Sequence, residues 1–146
     1  MDLAQSSLKV VTFCQRLNGL YQMCQEVAAQ QGAMFRPGSV VQDPFSFQMS
    51  AGGQAELPAA RIVKGSIEVD IRPSEISMDG SGKYMAKLSV GRTMAGAGRL
   101  TSPSCWTDLD SAADRWYVGA VGDQSVPLEP NLIASWLQHS GPRPIW

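Results

Sequence analysis

The sequence predicts a single α+β domain in which a long N-terminal helix packs on an antiparallel sheet of three to five strands, with a C-terminal helix beside it. Three patterns predict this fold: a helical apolar period over residues 3–31, two alternating segments between residues 62 and 91, and a second helical pattern that begins at Pro130. With 146 residues and 44% apolar side chains, residues 1–146 can bury one core and are too few for two.

The first helix is predicted to run from Leu3 to Gln31. Asp2 and Gln5 have the spacing of a capping box, and Gly32 is placed to end the last turn. The apolar stripe is wide, which favours packing on the face of a sheet. A coiled coil is the alternative that the heptad-like spacing allows, although apolar residues occupy the flanking positions where charges normally set the pairing.

Two strands are predicted at residues 62–72 and 83–91, because apolar and polar side chains alternate in both. The turn residues between them predict an antiparallel hairpin, with Ile71 opposite Tyr84 and Glu68 opposite Lys87. The segment from Asp79 to Lys83 also has the glycines and lysine of a phosphate-binding loop. Its spacing does not fit that motif, so a hairpin turn is the prediction.

The remaining segments carry weaker patterns. In chain order, the predictions are a loop over 34–58 interrupted by an edge strand at 45–49, a mobile loop over 91–104, one or two helical turns over 107–114, a last strand over 116–121, and a helix from Pro130 closed by Gly141 and Pro142. The predicted core comprises Leu8, Val11, Cys14, Leu17, Tyr21, Cys24, Ile67, Val69, Ile71, Tyr84, Leu88, Val90, Val118, Ile133, Trp136 and Leu137.

Charge and composition restrict the classes of partner. The net charge is −1, and basic residues are balanced by acidic ones in both halves, so no strong attraction to phosphate backbones or anionic lipids is expected. A basic surface could form from Arg61, Lys64, Arg72, Lys83 and Lys87, but it lacks the aromatic platform of a nucleic-acid site. The odd number of cysteines, and the absence of a leader or a long apolar run, predict a cytoplasmic protein without a membrane segment.

The sequence predicts no metal site and no cofactor. Asp108, Asp110 and Asp114 lack the ligand and glycine positions of a calcium loop, and His139 is expected to cap the last helix. Two weak catalytic arrangements remain, and neither has a motif around it. One is Cys105 as a nucleophile with His139 as its base, and the other is an acid and base pair such as Glu68 with Asp70.

Function is therefore predicted from the surface. Few lysines and glutamates but many serines and glutamines favour a non-enzymatic protein-interaction or assembly subunit, whose partner is another protein or a second copy. The prolines of residues 141–146 predict an extended C-terminal tail. The predicted partner contacts are Met85 and, in the tail, Arg143, Ile145 and Trp146.

Two other functions remain open. The first alternative is a small-molecule-binding module with an apolar cleft between helix and sheet, lined by Met94, Trp106, Trp116 and Tyr117. The second is a small enzyme that uses Cys105 or an Asp/Glu pair.

Overall fold

A computed structural model describes residues 3–45, 54–94, 98–101, 104–119 and 125–138. The elements are α1 (Leu3–Gln30), β1 (Met34–Gln42), β2 (Ala55–Lys64), β3 (Ile67–Met78), β4 (Tyr84–Met94), β5 (Gly98–Thr101), β6 (Cys105–Asp108), β7 (Tyr117–Val118), β8 (Val126–Pro127) and α2 (Pro130–Trp136). The α+β class, the long N-terminal helix and the C-terminal helix are confirmed. The sheet is antiparallel as predicted, but its described strands number eight, in the order β1-β2-β3-β4-β6-β7-β8 with β5 also paired to β4.

Helix α1 lies across one face of the sheet and ends where the sequence predicts. Gly32 adopts a φ of 67°, and the N–H of Ala33 donates to the carbonyl of Ala28 at 2.8 Å, which closes the last turn. The predicted burial of Leu8 and Val11 is wrong, because these side chains are 65% and 52% exposed. The buried side of the helix carries Phe13, Arg16 and Leu17 instead.

The loop predicted for residues 34–58 is largely wrong. Strand β1 pairs with β2 over nine positions, from Met34 opposite Val63 to Gln42 opposite Ala55. The sequence shows no alternation here because β1 is an edge strand whose residues are mostly exposed on both faces, and because Pro37 interrupts it. Of the edge strand predicted at 45–49, Phe45 lies in a turn and the other residues lie outside the described ones.

The hairpin of β3 and β4 is confirmed, but its predicted register is wrong. Ile71 lies opposite Val90, and Glu68 lies opposite Thr93. Both strands are longer than predicted, so they meet closer to the Asp79 turn, and the register shifts once more between Pro73 and Glu75. This bulge adds one residue to β3 and so returns Ile76 to the buried face.

The second half of the chain contains short strands in place of the predicted loop and helical turns. The mobile loop predicted over 91–104 contains the end of β4 and all of β5, and residues 107–114 begin in β6 and continue as turns. The last strand is shorter than predicted, and a further pair, β7 with β8, extends the sheet. Helix α2 starts at Pro130 as predicted, but it ends earlier than predicted, at Trp136 with Leu137 as its C-cap, while Gly141 and Pro142 lie outside the described residues.

The core lies between the two helices and one face of the sheet, which we call the inner face. Most of the predicted core is confirmed, and Cys14 and Tyr84 are only half-buried at its border. Alternate residues of the strands point to the opposite, outer face. No described helix is long and apolar enough to cross a membrane.

Candidate functional site

The outer face of the sheet carries charged and aromatic side chains from several strands. Neither α1 nor α2 covers it, since both helices pack on the inner face. Strand pairing brings residues from seven strands together there: Arg36 of β1, Arg61 of β2, Glu68, Asp70 and Arg72 of β3, Met85, Lys87, Ser89 and Gly91 of β4, Arg99 of β5, Trp106 and Asp108 of β6, and Tyr117 of β7.

Asp70 is held between two arginines on this face. Arg61 Nε donates to Oδ1 of Asp70 at 2.7 Å, and Arg99 Nη1 donates to Oδ2 at 3.0 Å. Arg61 also forms an ion pair with Glu68, with Nη1 and Oε1 3.5 Å apart. Glu68 and Asp70 are therefore paired with arginines in a partly exposed cluster of salt bridges. This arrangement argues against their use as an acid and base pair.

Gly91 allows the Arg99 side chain to lie against the sheet. A Cβ atom at position 91 would stand 2.1 Å from Arg99 Nη2, closer than any real contact. Because Gly91 lies opposite Asp70 in the sheet, the missing side chain leaves the space through which Arg99 reaches that carboxylate. A side chain at position 91 would displace the Arg99 guanidinium group from its present position.

The arginines control the titration of Asp70. Partial burial acts to raise the pKa of this carboxyl, but hydrogen bonds from Arg61 and Arg99, together with their charges, outweigh it and lower the pKa below its usual value. The ion pairs of Asp70 therefore stabilise the fold fully when the pH is above the pKa of the unfolded chain, about 3.9. This contribution is lost as the pH falls through the lower pKa of the folded protein.

Replacing Arg61 with glutamine (Arg61→Gln) is expected to raise the pKa of Asp70 towards its ordinary value, because one hydrogen bond and one positive charge disappear. Carboxyl-detected NMR titration measures the change directly. Asp79 is the internal control: its pKa is lowered by hydrogen bonds within the β3–β4 turn, from Ser81 and Lys83, and should stay unchanged. An Asp70 titration that is the same in both proteins would contradict the assigned pairing.

A shallow groove of about 260 Å³ opens beside this ion-pair cluster. Small residues and three arginines are among those that line it. We call it the arginine groove; its lining comprises Arg36, Pro37, Gly38, Ser39, Val40, Ala59, Ala60, Arg61, Asp70 and Arg72. Among the described residues, no carboxylate lies within ion-pair distance of Arg36 or Arg72.

The other part of the outer face is aromatic. The rings of Trp106 and Tyr117 stack with their centroids 4.7 Å apart and their planes 25° from parallel. With Met85, which is nearly covered although it lies outside the core, they form what we call the aromatic patch. The indole N–H of Trp106 is buried and finds no acceptor among the described residues.

The four residues predicted to line one apolar cleft lie on opposite faces of the sheet. Trp106 and Tyr117 meet on the outer face, whereas Trp116 and Met94 belong to the inner face. Trp116 packs beside Phe13, with ring centroids 6.4 Å apart, and its indole N–H donates to the carbonyl of Arg16 at 3.0 Å. A separate cleft of about 350 Å³ between α1 and the residues before α2 includes Trp116 but none of the other three.

Only one of the predicted partner residues lies within the described part of the chain. Met85 is in the aromatic patch, while Arg143, Ile145 and Trp146 lie outside the described residues, as does His139. The sequence patterns miss the outer arginines at positions 36 and 99. Both stand in segments predicted as loops, so their pairing partners in the sheet could not be assigned.

Two of the described thiols lie in the core. Cys105 and Cys24 are fully buried in the core, and burial, with a smaller contribution from the charge of Cys105, raises the pKa of Cys24 to about 12. Within the described residues, no group of three or more His, Cys, Asp or Glu side chains could hold a metal ion. Comparison with protein families, with curated proteins and with solved structures gives no match to this chain.

Proposed function

We propose that the protein is a non-enzymatic interaction subunit that binds a protein partner, either another protein or a second copy of itself, through the outer face of its sheet. The observation that carries the proposal is the stacked pair of Trp106 and Tyr117 on a face that no described helix covers. Aromatic side chains are enriched at protein interfaces, where they supply large contact areas at little cost in conformational entropy.

The two tryptophans of this region differ in a way that supports the proposal. Trp116 is a core residue whose N–H is satisfied by the carbonyl of Arg16. Trp106 has no such acceptor in the described part of the chain, and an unsatisfied buried donor costs about 1–3 kcal/mol. A partner that offers a carbonyl or carboxylate after a small movement of the indole would recover this free energy on binding.

The outer face also has the dimensions of an interface. From β1 to β7 it crosses five strand spacings, or about 24 Å, and a typical partner buries roughly 800 Å², about the area of a square with sides of 28 Å. Arginines lie at one end of this face and the aromatic patch at the other. Such a combination of charged and aromatic anchors is common in protein recognition.

Site-specific crosslinking tests the proposal. A photoreactive phenylalanine analogue is placed at Lys87, which lies on the outer face beside Trp106, and at Gln22, which is exposed on α1, as the matched control. In cells of the source organism, we expect a discrete protein adduct from position 87 and none from position 22. The adduct should disappear when Trp106→Ala is added, and its mass should identify a partner or a second copy.

Equal labelling from the two positions, or no protein adduct from position 87, would contradict the proposal. Thermal unfolding of the Trp106→Ala protein shows whether the fold is retained, and Tyr117→Phe, which keeps the stacked ring, should retain the adduct. Light scattering over a range of protein concentrations then separates self-association from binding to another protein.

Fewer observations support the small-molecule alternative. The space between α1 and the sheet is filled by core side chains, and the 350 Å³ cleft near Trp116 is at the lower end of the sizes that hold small ligands. No observation among the described residues favours the enzyme alternative, since Cys105 is buried and Asp70 is held by arginines.

A further inference from the structure

The arginine groove lies at one end of the outer face, where β1, β2 and β3 run side by side. Gly38 and Ala59, which lie opposite each other on β1 and β2, are among its lining residues, and their small size leaves room for a side chain from outside. At about 260 Å³, the groove is smaller than the 300–1,000 Å³ of most small-molecule pockets. It suits one or two side chains of a larger partner better than a complete cofactor.

The charges around the groove do not balance. Four arginines, Arg36, Arg61, Arg72 and Arg99, surround two carboxylates, Glu68 and Asp70, which leaves two positive charges in excess (4 − 2). Arg61 and Arg99 are already engaged by Asp70. The excess therefore belongs to Arg36 and Arg72, the two arginines without a carboxylate partner among the described residues.

The sheet register places these two arginines on opposite sides of the groove. Arg36 lies opposite Arg61, which lies opposite Asp70, and Arg72 is the next residue of β3 on the same face. The two Cα atoms are thus separated by about 10 Å across two strand spacings and by about 7 Å along the strand. The Cα atoms are therefore about 12 Å apart overall. Side chains on one side of an extended peptide lie about 7 Å or about 14 Å apart, so one such segment can present acidic groups to both of these long side chains.

We propose that the arginine groove binds carboxylate side chains of an extended acidic segment in the protein partner. This inference rests on the proposed function and assigns the chemistry of one part of the interface. Guanidinium groups match carboxylates in charge and in planar, two-point hydrogen bonding. In the free protein Asp70 holds the neighbouring arginines in place, and it also repels the incoming carboxylate.

A nucleic acid is the weaker occupant of the same face. Its regular phosphate backbone would run past Glu68, Asp70 and Asp108, which all lie on the outer face. The rings of Trp106 and Tyr117 stack on each other, so each offers at most one face to a base. The protein as a whole has a net charge of −1, which gives no general attraction to phosphates.

Fluorescence anisotropy with a labelled peptide of alternating glutamate and glycine tests the inference on the full chain. We expect binding that weakens with added salt and is absent for the matching glutamine peptide. Arg36→Gln and Arg72→Gln should each weaken binding roughly tenfold, the loss expected for one charge-assisted contact. Both arginines are exposed, so the fold should be retained, as thermal unfolding will verify. Lys64→Gln removes the same charge outside the groove and should change the affinity less than twofold, roughly the effect of a distant surface charge.

Asp70→Asn gives a second, opposite readout. Removal of the repelling carboxylate should increase the affinity for the glutamate peptide several-fold, even though the same change breaks two ion pairs within the protein. A purely structural role for this cluster would give weaker binding or no change. Either of those results would contradict the proposed competition between Asp70 and the ligand.

The inference is overturned if Lys64→Gln weakens peptide binding as much as the arginine variants do. It is also overturned if a thymidine oligonucleotide of the same length binds more tightly than the peptide. Crosslinks from position 87 that persist when Arg36→Gln and Arg72→Gln are combined would show that the proposed function holds without an acidic segment in the groove. Peptide binding without any crosslink from position 87 would show that the groove binds acidic segments but that the proposed protein interface is wrong.

Discussion

Leu17→Ala is expected to lower the free energy of unfolding by about 2–5 kcal/mol, because it removes buried methyl groups and leaves a cavity between α1 and the sheet. The Leu17 side chain is completely buried in the core. Domains of this size are stable by only about 5–15 kcal/mol, so the loss is a large part of the total. Equilibrium unfolding in urea, monitored by far-ultraviolet circular dichroism, measures it.

The matched control is the same substitution on the same helix. Leu8 is 65% exposed, so Leu8→Ala should change the free energy of unfolding by less than about 0.5 kcal/mol. Both changes replace leucine by alanine within α1, so helix propensity cancels in the comparison. Similar losses from the two variants would show that the helix contacts the sheet through a different side.

Arg16→Met is expected to cost about 3 kcal/mol, because it leaves one buried and two partly buried oxygen atoms without their donor. Arg16 Nη1 donates to Oγ1 of Thr107 at 2.8 Å and to the carbonyl of Asp108 at 3.1 Å, and Nη2 donates to the carbonyl of Ser111. Methionine fills a similar volume and cannot donate. The same urea experiment measures the loss, and Trp116, which donates to the carbonyl of Arg16, should change its near-ultraviolet signal.

Arg36→Met is the control for that experiment. It makes the same chemical change at an exposed arginine of β1 and should alter stability by less than about 0.5 kcal/mol. If both variants unfold at the same urea concentration, the side-chain hydrogen bonds of Arg16 make no net contribution to stability. The tie between α1 and β6 would then depend on apolar contacts alone.

Long, regular elements could be predicted from the sequence, because each one repeats its own pattern many times. The period of α1 and the alternation of β3 and β4 survive a few exceptions. The register between β3 and β4 could not be predicted, since keeping both apolar sets on one face allows several pairings, and the bulge after Pro73 changes the alternation midway. Strand β1 has little buried surface and therefore leaves almost no pattern.

The composition of the outer face was only partly predictable. Trp106 and Tyr117 were identified as binding residues, but the sequence could not show that Trp116 turns to the other face, which follows from its place beside β7. The arginine groove is formed by residues of three strands, and one of them, Arg36, stands in a segment without strand signals. Such sites depend on pairing between distant segments, which local patterns do not encode.

The hydrogen bonds that join α1 to the region of β6 and β7 affect the order in which contacts can form during synthesis of the chain. Arg16 is 91 residues from Thr107 and 100 residues from Trp116. At a ribosomal rate of about 5–20 residues per second, roughly 5–20 seconds pass between the appearance of Arg16 and that of these partners. The contacts of α1 with β1 and β2 can therefore form during synthesis before its hydrogen bonds to Thr107 and from Trp116, whose residues are made later.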